Sequence, residues 1–302
     1  MLVDCIRHRA DKTPIFFVLE DCQWLDPISM DLLEVVARNI FDIPVFILLV
    51  YRPVEEDSHL ARFSKLTYFT EIKIPEFTLA ESTELIGLKL QQLFEGAEVT
   101  GSFIDRIVDQ AGGNPFFVDE MINLLHDRSI DPRDVKSLDS IILPDSLNSL
   151  IISRIDQLNE NLKTTLKIAS VIGRLFKASW LCGIYPQLGE QEVINLQLMQ
   201  LDRLQITPLL KTEPEIEYLF KHVFTREVAY ESLAHSTRQM LHEQIGIYIE
   251  NEYPESLDEF LNVLAYHFGS SQNTTKQQEY FRKAGVAAQH SFANDAAIDY
   301  YQ

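Results

Sequence analysis

The chain has 302 residues, 46% hydrophobic and 24% charged, with 45 acidic against 26 basic residues and a net charge of −19. This is the composition of folded soluble protein rather than of a disordered tail. Such an acidic chain, with no dense basic cluster, argues against nucleic acid and anionic membrane surfaces as partners. The longest apolar run, VFILLVY at 45–51, is too short to cross a bilayer, and MLVDCIRHRADK lacks the apolar core of a signal peptide. Cys5, Cys22 and Cys182 are isolated thiols with no CxxC pair, which fits a reducing cytoplasm better than a disulfide framework or a zinc site.

In chain order, LVDCIRHRA reads as a short helix that breaks at Lys12-Thr13-Pro14 before the strand IFFVL, 15–19. Its unbroken apolar run predicts a strand buried on both faces. It ends in two adjacent carboxylates, Glu20 and Asp21. Trp24 reads as a packing residue, and Asp26 and Pro27 as the N-cap and first residue of a helix. Ile28, Leu32, Val35, Val36 and Ile40 then recur at helical spacing. VFILLV, 45–50, is a second buried strand ending in Tyr51-Arg52-Pro53, so the segment is a βαβ unit with a parallel sheet. TEIKIPEF, 70–77, reads as a further strand.

From Thr78 the pattern turns helical. Thr78 and Glu81 form a capping box ahead of Leu85, Ile86 and Leu90. A second helix opens near Ser102 and stops at Gly112-Gly113, and Asn114-Pro115 start a third, PFFVDEMINLLHD. The polar stretch HDRSIDPRDVKSLDS predicts a domain boundary before IILPDSLNSLIISRIDQL. Three or four helices follow, then a strand-like EIEYLFKHVF and one long helix from Thr225 to about Glu250. Helices followed by a β-ribbon suggest a winged helix, and residues 258–302 read as helical hairpins. His242 reads as a helix-surface histidine, since Gly246 denies it the HExxH zinc pattern.

Ligands of open parallel sheets sit beyond the carboxyl ends of the strands. Glu20, Asp21 and Arg52 fall at two such ends, one helix apart. Two acids and a cation there suit a magnesium nucleotide, one carboxylate holding Mg²⁺ and its neighbour orienting water. From the residues alone, a capped strand end with a surface ion pair is the alternative.

FFVLEDCQWLDPIS resembles the Walker B segment of STAND-type ATPases, and VFILLVYRP their next strand, whose arginine is a sensor. QAGGNPFFVDEMI resembles the GxP motif of their helical lid. LPDSLNSLIISRIDQL, KIASVIGRLF and FKHVFTREVAYESL resemble the winged helix, and KAGVAAQHSFANDAAIDYY the first tetratricopeptide-like repeats. The combination is most similar to the ATPase region of class III adenylyl cyclase-like proteins. Related regions of LuxR-type regulators and kinases are the alternative.

The resemblance implies an α/β P-loop NTPase core, truncated here, at 1–77, a helical lid at 78–140, a winged helix at 141–250 and helical repeats from 251 to 302. It implies ATP/ADP and Mg²⁺ as cofactors. Glu20 is the expected metal ligand and Asp21 the water-orienting residue, with the order of the two exchangeable. Arg52, Asn114 and Pro115 are expected at the nucleotide, and His222 at the ADP β-phosphate. Expected partners are the parent's output domain (cyclase, kinase or another) and proteins bound by the repeats.

Two departures stand out. The chain has no GxxxxGK[ST], no Gly-Lys dipeptide and no glycine before Gly87. It also lacks paired cyclase aspartates. The sequence therefore reads as a fragment or truncated product holding the regulatory middle of a signalling protein, not hydrolytic alone. A degenerate interaction scaffold without nucleotide is the competing reading.

Overall fold

Helix α1 (Leu2–Ala10) precedes strand β1 (Ile15–Leu19), and α2 (Pro27–Arg38) joins β1 to β2 (Val45–Leu49). The computed structural model describes residues 2–52, 59–94, 101–132, 134, 144–291 and 293–301. It comprises two units, 1–75 and 76–302.

In the first unit β1 and β2 pair in parallel, from Ile15 opposite Val45 to Leu19 opposite Leu49. Asp26 caps α2, its Oδ1 accepting from the Ile28 and Ser29 amides at 3.0 and 2.9 Å. Ile15, Val45 and Ile47 pack on Ile6, Val36 and Ile40. Side chains alternate along a strand, so Phe16, Val18, Phe46 and Leu48 point the other way. All four are exposed, and the Phe16 and Phe46 rings stack at 5.1 Å. The expectation of a strand buried on both faces is thus corrected: no second layer among the described residues covers that face. The α2 periodicity is also half right, since Val36 is buried while Ile28, Leu32 and Val35 are exposed. Trp24 is 82% exposed and packs nothing away. Residues 70–77 form no strand; Ile72 and Ile74 are exposed, and no strand among the described residues pairs with them.

The second unit opens with α3 (Leu79–Leu93), held by the Thr78–Glu81 capping box. With α4 (Gly101–Ala111) and α5 (Pro115–Asp127) it encloses a core that includes Ile86, Phe103, Ile107, Met121 and Leu125. The boundary expected over 126–140 falls in part, at 133 and 135–140, outside the described residues. Then come α6 (Leu147–Gln157), α7 (Glu160–Ile172), β3 (Leu175–Lys177), α8 (Ala178–Ile184), α9 (Gln191–Arg203), β4 (Leu209–Lys211) and β5 (Glu217–Leu219). The strands form an antiparallel sheet in the order β3-β5-β4. Leu166, Leu181, Ile194, Leu198 and Phe220 fill the core beneath it.

The single long helix expected after this sheet is two helices, α10 (Val223–Glu231) and α11 (His235–Glu252). Ala234, extended at φ −59 and ψ 144, separates them. The strand-like run is shorter than expected too, so His222 is the N-cap residue of α10 and not part of a strand. Helices α12 (Leu261–Gly269), α13 (Thr274–His290) and α14 (Asn294–Tyr301) pack on one another in succession. Gly246 lets α11 and α12 approach: a Cβ there would meet the Phe268 ring at 2.6 Å. His242 is not on the surface but fully buried, its Nδ1 2.8 Å from His267 Nδ1 and its Nε2 3.0 Å from Tyr230 Oη. Among the described residues no helix is long and apolar enough to cross a membrane.

Candidate functional site

The first unit carries the carboxylate pair at the end of β1. Glu20 is exposed, and Asp21 sits in the left-handed region at φ 55, ψ 36, leading a short 3₁₀ turn, Cys22–Trp24. Side chains rarely occupy that region, although Asp tolerates it better than most. Gln23 Nε2 donates to Asp21 Oδ1 at 3.2 Å, and Gln23 Oε1 accepts from the Arg52 amide at 3.2 Å. One amide side chain therefore ties the β1 carboxylate to the end of β2, which the ladder extends through Cys22 N to Val50 O at 3.0 Å. Glu20, Asp21 and Arg52 thus lie at neighbouring strand ends, with the Arg52 side chain exposed. Gln23 carries no sequence signal that would have marked it.

In the second unit Gly112 and Gly113 end α4 with φ of +55 and +79. Gly113 has no substitute: a Cβ would stand 2.7 Å from the Phe77 carbonyl oxygen, and Phe77 N donates to Gly113 O at 2.9 Å. Asn114 then caps α5, its Oδ1 accepting from the Phe116 amide at 2.9 Å, with Pro115 in the first turn. The next residue, Phe116, places its ring 3.9 Å from the imidazole of His222. Asn114, Pro115 and His222, more than a hundred positions apart in part, are thereby gathered at one end of α5.

Charge surrounds this corner. Asp119, one turn along α5, pairs with Lys89 and, at 3.1 Å, with Lys221. Glu120 meets Arg154 at 2.7 Å, and Arg154 also holds Asp127 Oδ2 at 2.9 Å and donates to the Leu204 carbonyl at 2.9 Å. Burial, and next the charge of Lys221, press the His222 pKa down to about 4, so the imidazole is neutral near pH 7. Its Nε2 is buried with no hydrogen-bond partner among the described residues. That atom is a polar group still in need of one.

Asp119, Glu120 and His222 also offer three ligand atoms within 4.8 Å of one another. A divalent cation there would compete with Lys89, Lys221 and Arg154 for the same carboxylates. The carboxylates already have their countercharges, which disfavours a metal there. Phe116, Asp119 and Lys221 went unmarked in the sequence, where they look like ordinary helix and strand residues.

No protein-family model matches the chain. A Rhizobium meliloti (strain 1021) protein described as uncharacterized is 25% identical over 248 residues, 78% of this chain and 22% of its own length. The crystal structure of a Signal Transduction ATPase with Numerous Domains (STAND) protein with a tetratricopeptide repeat sensor, from Pyrococcus horikoshii, matches at TM-score 0.58. That match covers 98% of this chain and 41% of the other, at 14% identity. The chain shares the fold of that structure. At this identity the likeness is one of fold, and the chain spans a minor part of both proteins.

Proposed function

We propose that residues 1–302 are the nucleotide-reading segment of a STAND-type signalling ATPase. The observation that carries this reading is the buried, unpartnered Nε2 of His222, packed through Phe116 on the Gly113-Asn114-Pro115 turn. In its Nε2–H tautomer the neutral imidazole is a donor suited to a phosphate oxygen. Glu20 would hold Mg²⁺, which supplies charge neutralisation on the phosphates, and Asp21 would orient water. Arg52 senses the terminal phosphate from the neighbouring strand end. Asn114 and Pro115 fix the turn that faces the nucleotide. The segment 141–250 is read as a winged helix, 78–140 as the lid, and the C-terminal hairpins as the first repeats of a protein-binding array.

ADP then favours the closed arrangement and ATP the open one, because a ligand shifts a conformational equilibrium only through differential contacts. The finer assignment, an adenylyl cyclase-like parent, rests on the sequence resemblance described above. A cytoplasmic site of action and an output domain elsewhere in the parent belong to the same reading. The phosphate-cradling GxxxxGK[ST] is not in this sequence. Residues 1–302 alone are therefore expected to show no ATP turnover above background. Steady-state hydrolysis by the purified chain that disappears in Asp21→Asn would refute that expectation.

A further inference from the structure

Helix α9 buries Ile194, Leu198 and Leu201 completely and leaves its opposite face bare. That face consists of Glu192, Val193, Leu196, Met199, Gln200 and Arg203, all exposed, with Leu196 at 62%. Spacings of three and four residues align them in one stripe. The stripe is apolar in the middle, acidic at its first turn and basic at its last.

This order is self-complementary. Turning a second α9 antiparallel, about a twofold axis passing midway between Gln197 and Leu198, sets Glu192 opposite Arg203 and Leu196 opposite Met199. Each match then occurs twice, as a twofold interface requires. The charged ends lie about 16 Å apart along the axis at 1.5 Å per residue, so the two ion pairs flank the apolar centre. Beside the C-terminal turn lies exposed Leu209 of β4, anchored where Asp202 Oδ1 accepts from its amide at 3.2 Å. We propose that this face is the contact between two copies of the chain, paired through antiparallel α9 helices.

A DNA duplex fits the face poorly. It offers one base, Arg203, against one acid, in a chain of net charge −19, whereas phosphate binding needs several cations. A single helix pair with a short wing falls below about 1,200 Å² of total buried surface, the small end of specific interfaces. The pairing is therefore weak and concentration-dependent, and it is independent of the nucleotide reading.

Sedimentation velocity on the purified chain, from micromolar to near-millimolar concentration, tests it. Wild type is expected to move from monomer to dimer. Glu192→Arg alone and Arg203→Glu alone each place like charges in opposition and should weaken self-association about tenfold or more. An equimolar mixture of those two variants, and the double variant E192R/R203E, should recover it, while Leu196→Glu should abolish it. All these positions are exposed, and unchanged circular dichroism establishes that the variants fold. A chain that stays monomeric overturns the proposal. So do single variants that sediment like wild type, a mixture that fails to recover the dimer, or a DNA duplex retained by this face.

Discussion

The imidazole of His222 leans on the ring of Phe116, with centroids 3.9 Å apart and the rings tilted by 38°. Phe116 belongs to the first turn of α5 and His222 is the N-cap residue of α10, so the contact couples the starts of two helices. Beside it, Lys221 and Asp119 pair at 3.1 Å. If this packing keeps His222 neutral, Phe116→Ala should hydrate the ring and raise its pKa from about 4 toward the ordinary 6.5. NMR titration of the His222 ring protons measures both values. A wild-type midpoint near 6.5 would show that the ring is not desolvated.

The His242–His267 pair sets an acid limit on stability. Burial first, then Arg226 and Arg238, depress His242 to about 4. Burial and His242 itself depress His267 to about 3. Both lie below the value of the unfolded chain, so the unfolded state takes up protons first as pH falls. Their contribution is complete above about pH 6.5 and is lost progressively from there toward about pH 3, on the order of 3 kcal/mol or more. The midpoint of urea unfolding should drop between pH 7 and pH 5, above the range where carboxylates protonate. His242→Gln with His267→Gln should flatten that slope; an equally steep slope would place the acid sensitivity elsewhere.

Arg154 holds two carboxylates and a carbonyl at the joint of α5, α6 and the end of α9. Only 4% of its surface is exposed. Arg154→Met strands buried negative charge and should cost about 3–5 kcal/mol. Adding Glu120→Gln removes one stranded charge and should recover part of that loss. Guanidinium unfolding followed by Trp180 fluorescence reports the difference, and a loss below about 1 kcal/mol would mean that water already screens the network.

At the glycine turn, Gly113→Ala must fit a Cβ 2.7 Å from the Phe77 carbonyl while holding φ at +79. Asn114→Ala only removes a helix cap, worth about 1 kcal/mol. The glycine variant should therefore melt at the lower temperature of the two by calorimetry, and the reverse order would contradict the close approach.

Punctuation made much of the fold readable. Asp26-Pro27, Thr78 with Glu81, and Asn114-Pro115 each mark a helix start through chemistry confined to a few residues, and each caps as expected. Packing was less readable, because it depends on partners distant in sequence. Phe16, Val18 and Ile74 have strand composition, yet nothing among the described residues covers them. His242 looked like a surface residue because the aromatic and histidine partners that bury it come from α10 and α12. The break at Ala234 is silent in sequence, alanine being a good helix former. Among the candidate site residues, the strand ends marked Glu20, Asp21 and Arg52, and the family resemblance alone marked Asn114, Pro115 and His222, whereas Gln23 and Phe116 emerge only from distances.

The most direct test of the nucleotide reading is the ADP/ATP affinity ratio, by calorimetry, in a protein that carries a GxxxxGK[ST] phosphate loop ahead of residue 1. A hydrogen bond from His222 to a charged phosphate oxygen is worth on the order of 1.5–3 kcal/mol. The expected result is that His222→Ala weakens ADP binding about tenfold or more while ATP binding changes little. An unchanged ratio would contradict the reading and leave His222 an ordinary packed histidine.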